Sequence, residues 1–363
     1  MRISRYALLA LLSSLCYISK AQVPDEHASV EVLVLCAPTP VRAEGKFHLV
    51  YELHITNFSE KDVTLTRVDV LGDKSTAPIT TYEGAQLAEQ LSTPGRMTPE
   101  KARLGGGQRL IVFIWATLNP AEAIPATVRH RLTFVRASGR DHPAEMSIEA
   151  GETPVRQEQA IAIQPPLKGG DWLALGGPSN SSKHRRAVMA VDGKTRDAQR
   201  FAVDWNKIGP GGEEWKGNPQ KNASYYSYGS EVLAVAKGTV LEAVDNLPDH
   251  PPGRPHPCTF ETCLGNHIVL DLGTGHYAFY AHMQLGKVRV HRGDRVEAGQ
   301  VLGLLGDSGN ATGPHLHFHL MDSPSPLESE GLPYIFNSFE SDGHKRAMEM
   351  PLENMVVRFP ESR

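Results

Sequence analysis

Hydrophobic and polar positions alternate along much of the first half of the chain. The apolar runs, rich in Val, Ile, Leu, Thr and aromatic residues, are SVEVLVLCA (29–37), KFHLVYELHITNF (46–58), DVTLTRVDVLG (62–72), QRLIVFIWATL (108–118) and VRHRLTFVRAS (128–138). Turn residues separate them. Short alternating runs at this spacing are typical of antiparallel strands, and they predict a β-sandwich of immunoglobulin-like type.

A second block of short strands follows a segment without a sustained period. The segment QPPLKGGDWLALGGPSNSSKHRR (164–186) is rich in Pro, Gly and Ser, which predicts a linker or an extended arm. In the second block, no run of ten or more residues shows helical amphipathicity. Its strand candidates are RFAVDW (200–205), EVLAVAKGTVLEAV (231–244), NHIVLDLGTGHYAFYAHM (266–283), GDRVEAGQVLGLLG (293–306) and HLHFHLMD (315–322).

The first residues have the layout of a secretory signal peptide. Two arginines precede an apolar run from Tyr6 to about Tyr17, and the small residues Ser19 and Ala21 follow it. The run is short for a membrane span, so we expect cleavage after residue 21 and no stable membrane insertion, although an uncleaved anchor is the alternative. The protein is therefore expected to be exported, to the periplasm or the extracellular space.

The cysteines agree with export. Cys258 and Cys263, in PCTFETC, are close enough to form a disulfide in an oxidising compartment. A metal site at these thiols is the weaker alternative, because no second cysteine pair or nearby histidine pair completes a zinc knuckle. Cys36 lies in an apolar run and is expected to be a buried free thiol.

Length and charge set further bounds. With 363 residues, the chain is long enough for two domains with separate cores. A net charge of -4 gives no basic excess, so nucleic acid is not an expected partner. The predicted segments are a signal peptide (1–21), a β-sandwich domain (22–164), a linker or extended arm (165–197), a second β-domain (198–322) and a C-terminal extension (323–363).

Three strand candidates of the second block carry polar residues suited to metal chemistry. In TGPHLHFHL (312–320), His315, His317 and His319 share one face of a strand, and the apolar residues between them face a core. HYAFYAHM (276–283) carries His282 near its end, and alternation places this residue on the face of Tyr280. RFAVDW places Arg200, Ala202 and Asp204 on one face. A carboxylate with imidazoles can bind zinc, and a catalytic zinc site needs three protein ligands and an open position.

These segments, in this order, resemble the lysostaphin-type or LytM-like zinc endopeptidases, which cut peptide cross-links of bacterial peptidoglycan. The resemblance covers roughly residues 198 to 322 and implies a mostly antiparallel β-sheet with the site in a groove. It implies that Asp204 and His317 are zinc ligands. It further implies that His315 is the general base, and that His282 positions the attacking water or stabilises the oxyanion.

One position departs from the family pattern. The first histidine of its H-x-x-x-D motif is Arg200 here, and a guanidinium has no lone pair to donate to a metal. His184, sixteen residues earlier, is a candidate third ligand if it lies on a neighbouring strand, with a plain surface residue as the alternative. His319 is expected to be structural or to lie behind the ligands. Arg200 paired with Asp204 would indicate an inactive site.

The sequence therefore predicts an exported zinc metalloendopeptidase that acts on peptidoglycan peptides. The alternative is an inactive LytM-like domain that binds cell wall or activates a partner amidase, with Arg200 filling the metal position. A third possibility is a metallopeptidase for another extracellular glycine-rich peptide. The sandwich contains no cluster of catalytic residue types and is expected to position the second domain.

Overall fold

The structure, a computed structural model, describes residues 29–95, 102–136, 144–254, 256–259 and 261–361. The predicted signal peptide lies outside the described residues. Within these residues, no helix is long and apolar enough to cross a bilayer. The elements are almost entirely strands, which confirms the all-β prediction.

The first half forms two antiparallel sheets that face each other. One has the order β1-β3-β8-β6, with β2 paired to β3, and the other has the order β10-β9-β4-β5, with β7 paired to β4. A short helix, α1 (Gly84–Glu89), follows β5. The strands are β1 (Val30–Val34), β2 (Val41–Ala43), β3 (Lys46–Asn57), β4 (Val63–Gly72), β5 (Pro78–Glu83), β6 (Leu91–Ser92), β7 (Arg103–Leu104), β8 (Arg109–Leu118), β9 (Thr127–Arg136) and β10 (Ala144–Pro154).

Alternate residues of these strands build the sandwich core. Leu49, Tyr51 and Leu53 of β3 meet residues such as Val70 of β4 and Leu132 of β9. The five predicted strand segments are all strands in the structure. β3 is unusual because its other face is buried too, since the second half of the chain packs against it.

The second half is organised around one large, mostly antiparallel sheet. Its order is β20-β17-β18-β19-β22-β15-β12-β27-β25-β26, with β23 paired to β22. Small sheets pair β13 with β14, β16 with β21, and β11 in parallel with β24. The strands are β11 (Ile161–Ile163), β12 (Asp171–Leu175), β13 (Met189–Val191), β14 (Lys194–Arg196), β15 (Val203–Ile208), β16 (Glu231–Leu233), β17 (Gly238–Val244), β18 (Asn266–Gly273), β19 (His276–Met283), β20 (Arg295–Val296), β21 (Val301–Leu304), β22 (Leu316–Met321), β23 (Gly331–Leu332), β24 (Tyr334–Phe336), β25 (Phe339–Ser341), β26 (His344–Arg346) and β27 (Val356–Arg358).

Two segments contribute more to this sheet than their composition indicates. The segment 165–197, predicted as a linker or arm, contains β12, which pairs with both β15 and β27. The C-terminal segment 323–363 supplies the strands from β23 to β27. Hydrogen bonds to neighbouring strands stabilise these short stretches, and a weak sequence pattern does not reveal such pairing. The domain boundaries stay predictions.

One face of the large sheet packs into the core. Leu316, Phe318 and Leu320 of β22 are fully buried with Trp205 of β15 and Tyr280 of β19. The alternation predicted for β22 is therefore correct. The opposite face of the same strands carries the histidines.

Candidate metal centre

Antiparallel pairing of β15 with β22 sets Asp204 opposite His317. The two residues are direct partners in the register. Side chains of such partners lie on the same face of a sheet. His317 Nδ1 is 3.0 Å from Asp204 Oδ1. Strand pairing thus brings together two residues that are 113 positions apart in the sequence.

His184 joins this pair from a turn that follows β12. Its Nε2 is 3.2 Å from Asp204 Oδ2. Its Nδ1 is 2.7 Å from the backbone oxygen of Gly176, to which it donates. The sequence is compatible with a neighbouring strand, or with a plain surface position, for this residue. The structure corrects both, because His184 lies in a turn and its side chain is only 14% exposed.

The three side chains meet the requirements of a metal site. Ligand atoms of His184, Asp204 and His317 all lie within 4.8 Å of one another. The second nitrogen of each imidazole is held, in His184 by Gly176 and in His317 by His319 Nδ1 at 3.1 Å. The other nitrogen of each ring therefore faces the carboxylate, and once it loses its proton it can donate a lone pair to a metal, as in histidines that bind zinc. The donor set, two imidazoles and a carboxylate, fits a catalytic zinc ion.

His319 lies behind the ligand His317. Its ring is 1% exposed, and its Nε2 has no hydrogen-bond partner among the described residues. Its Nδ1 shares a hydrogen bond with His317 Nε2, and it has no described contact with Asp204. Its position agrees with the expectation of a supporting residue.

Two further histidines border the three-residue cluster. His315, directly before β22, has its Nε2 at 3.3 Å from Asp204 Oδ1 and donates from Nδ1 to the Gly313 oxygen at 2.8 Å. The ring of His282 lies 4.8 Å from that of His315, and its Nδ1 donates to the Ser308 oxygen at 2.8 Å. Backbone oxygens thus fix both rings. Nothing in the sequence pattern marks these oxygens.

The shared carboxylate has different effects on these imidazoles. Burial lowers the pKa of His315, but Asp204 outweighs it and raises the pKa to about 9. The pKa of His184 is likewise raised by Asp204 against the effect of burial. Burial and the charges of His315 and His317 hold the pKa of His282 well below its usual value. His282 is therefore neutral, with a free lone pair on Nε2.

The alternation predicted for β19 is wrong at its end. Ala278 and Tyr280 lie in the main core, whereas His282 lines the groove with Phe279 and Ala281. The cause is the backbone of His282, whose φ of 66° lies in the left-handed region. This conformation breaks the two-residue alternation of the strand and turns the imidazole toward His315.

The placement predicted for Arg200 is also wrong. β15 begins at Val203, and Arg200 lies in a turn before it, so strand alternation does not apply. Its guanidinium is buried and pairs with Glu52 at 2.7 Å and with Glu330 at 2.8 Å. Among the described residues, the partners of Arg200 thus do not include Asp204, and the pairing expected of an inactive site is absent.

A groove gives access to the cluster. Its volume is about 790 Å³, and it is lined by Asp204, four of the histidines described above, and apolar residues that include Phe279 and Leu264. A smaller cavity of about 210 Å³ lies on the other side of Asp204 and His315. There Trp215, 40% exposed, lies against Tyr225. Asp204 and His315 therefore border both cavities.

The predicted disulfide forms one edge of this groove. Cys258 and Cys263 are bonded, and Cys263 lines the groove. Cys36 is a free thiol, as predicted, but it is only half-buried. The two loop cysteines thus serve as a covalent link beside the site and not as metal ligands.

Residues 224–329 match the model described as peptidase family M23. This part of the chain is similar to M23 peptidase domains. The resemblance inferred from the motifs is thereby confirmed. The match includes His282, His315 and His317 but begins after Asp204. The roles of the individual site residues therefore stay predictions.

Several curated proteins align with part of the chain. The peptidoglycan DD-endopeptidase ShyA of Vibrio cholerae is 38% identical over 65 residues, which are 18% of this chain and 15% of that protein. The glycyl-glycine endopeptidase ALE-1 of Staphylococcus capitis is 48% identical over 58 residues, which are 16% of each chain. The chain thus spans less than a fifth of the length of these two relatives.

Among solved structures, the catalytic domain of lysostaphin from Staphylococcus simulans is similar. It is 24% identical, and the alignment covers 45% of this chain and 88% of that one with a TM-score of 0.25. A zinc-containing peptidase from Vibrio cholerae is 13% identical, with coverage of 82% and 84% and a TM-score of 0.24.

Proposed function

We propose that this protein is an exported zinc metalloendopeptidase that hydrolyses peptide cross-links of bacterial peptidoglycan. The observation that carries the proposal is the convergence of His184, Asp204 and His317 within 4.8 Å at the base of a groove. The M23 match and relatives named as peptidoglycan endopeptidases support the reaction and the substrate class. The signal-peptide pattern of residues 1–21 and the disulfide support export.

His184, Asp204 and His317 would hold the zinc ion. When bound there, zinc supplies a Lewis acid that polarises the scissile carbonyl and makes water more acidic. The fixed rings and the half-buried carboxylate orient the donor atoms before binding. Little reorganisation is then needed when the site is loaded.

His315 and His282 are the proposed acid-base pair. In the protein alone, Asp204 retains a proton on His315 and raises its pKa to about 9. If a cation shared the negative charge of Asp204, the carboxylate would raise the pKa of His315 less. His315 Nε2 would then be able to accept a proton from the attacking water. His282 is neutral, so its Nε2 can orient that water or, once protonated, stabilise the oxyanion.

The non-enzymatic alternative required Arg200 to fill the metal position. The guanidinium instead pairs with Glu52 of the sandwich and with Glu330, which directly precedes β23. No described contact therefore favours a blocked site over an active one. The third possibility, another glycine-rich peptide as substrate, differs only in what the groove accepts.

The test combines metal analysis with hydrolysis of purified peptidoglycan. We expect one zinc ion per wild-type chain, its loss in His317→Ala and His184→Ala, and its retention in His315→Ala. Hydrolysis should be lost in all three variants. Wild-type protein that is free of zinc after expression in zinc-rich medium, or hydrolysis that survives in His317→Ala, would contradict the proposal.

A further inference from the structure

The turn that carries His184 is attached to the β-sandwich through the next residue. Arg185 is fully buried, with 0% of its surface exposed. Its guanidinium donates to the backbone oxygens of Tyr51 and Ile114, each at 2.9 Å, on strands β3 and β8. The residue directly after a candidate ligand is thus inserted into the sandwich sheet.

Neighbouring residues of the same turn hold to the sandwich as well. Arg186 donates to the backbone oxygens of Glu89 and, at 3.2 Å, of Leu91, and its guanidinium lies 4.9 Å from the centre of the Phe113 ring. Asn180 donates to the Phe113 oxygen at 3.0 Å. Contacts on both sides of His184 therefore attach this segment of the chain to the sandwich.

Glu52 of the sandwich connects this turn to Arg200. One of its carboxylate oxygens lies 3.2 Å from Arg185, and the other lies 2.7 Å from Arg200. Burial raises the pKa of Glu52, but the guanidinium groups of Arg200 and Arg185 outweigh it and lower the pKa to about 2. Glu52 stays ionised, so both charge-assisted contacts persist at neutral pH.

From these contacts we infer that Glu52 and Arg185 are positioning residues for the metal centre, so that the β-sandwich sets the place of the third ligand. The inference rests on the proposed role of His184. It also gives Arg200 a function: the residue that stands where the family pattern has a histidine fixes the sandwich against the peptidase domain. The third metal ligand, His184, then comes from the turn that follows β12 and not from position 200.

The inference is tested in the full chain by two measurements that do not depend on catalysis. One is zinc affinity, from competition with a chelating indicator, and the other is the visible absorption spectrum of the Co²⁺-substituted protein. Glu52→Gln and Arg185→Met should weaken zinc binding by about 10- to 100-fold and shift the Co²⁺ bands, because supporting residues have effects of this size. Arg185→Lys should restore part of the affinity.

Asp69→Asn is the matched control. Asp69 is, like Glu52, a sandwich carboxylate that is 4% exposed and pairs with an arginine, Arg67, but it does not contact the His184 turn in the contacts described. It should leave affinity and spectrum unchanged. Equal weakening in Asp69→Asn would show a general effect of sandwich stability and would overturn the inference.

His184→Ala separates the two proposals. If it loses zinc while folded Glu52→Gln and Arg185→Met bind zinc with wild-type affinity and spectrum, the positioning inference fails and the metal site stands. If His184→Ala keeps zinc, the ligand assignment itself is wrong and the inference falls with it. Glu52→Gln leaves Arg185 in place, so it supplies the answer if Arg185→Met does not fold.

Discussion

The protonation state of a buried histidine in this protein depends on the groups that surround it. His315 and His130 are both almost inaccessible, yet the pKa of the first is raised to about 9 and that of the second is lowered to about 4. The difference is the carboxylate of Asp204 beside His315. His130 has the hydroxyl of Tyr51 at 2.8 Å and is dominated by burial. Residue type alone does not decide the proton chemistry.

His130 makes the protein sensitive to acid. Its folded pKa lies below that of an unfolded histidine, about 6.5, so the unfolded chain binds the proton first. The stabilisation that neutral His130 contributes to the folded state is complete at pH values above the unfolded pKa. It is lost as the pH falls toward the folded pKa of about 4. Between pH 7.5 and pH 5 it amounts to about 2 kcal/mol.

We therefore expect the unfolding free energy of His130→Gln to fall less between these pH values than that of the wild type, as measured by urea unfolding. The exposed His291→Gln serves as control. Identical pH dependence in His130→Gln and the wild type would contradict this account.

At the scale of elements, strand ends and turns decide what the site contains. The sequence pattern identifies the interior of β22 and of β15, where alternation holds. It fails at His282, where the left-handed backbone ends β19, and at Arg200, in the turn before β15. The loop from Cys258 to Cys263 belongs to the same group of irregular segments that border the groove.

The disulfide should order that loop. Closing so short a loop restricts the unfolded chain and contributes about 2 kcal/mol. The backbone oxygen of Cys263 also accepts from Asn310 at 3.0 Å, which connects it to the segment before His315. In Cys258→Ser/Cys263→Ser we expect lower stability and faster amide exchange at Asn310. Cys36→Ser, which removes a free thiol, should change neither, and unchanged exchange in the double variant would refute the expectation.

At the scale of the whole molecule, the two halves share their interior. Val41 and Val50 of the sandwich belong to the same hydrophobic core as Trp205 and Phe318 of the large sheet. The ion pairs of Arg200 with Glu52 and Glu330 lie in the same interface. The sandwich is therefore packed as part of the molecule and not as a tethered accessory.

Arg200→His tests this interface, because it introduces the residue that the family pattern leads one to expect. Breaking a buried ion pair should lower the unfolding free energy by about 3 kcal/mol or more. Zinc content should not rise above one ion per chain, because position 200 lies in a turn next to Glu52 and not next to Asp204. Thermal unfolding and metal analysis provide the two measurements.

Arg358→His is the control, since Arg358 is 59% exposed and its pair with Asp171 should contribute less than about 1 kcal/mol. A stability loss no larger than that of the control, or a gain of zinc affinity in Arg200→His, would contradict the structural role given to Arg200.

The sequence by itself determined the strand interiors, the apolar face of β22 and the set of residues with chemistry, including His184 as a candidate. It determined them because alternation and side-chain chemistry are local properties. Only the tertiary structure decided that β12 joins the central sheet, that His282 turns toward His315, and that Arg200 points away from Asp204. These depend on strand register, on one left-handed residue and on ion pairs between residues 148 positions apart, such as Arg200 and Glu52, none of which leaves a local pattern.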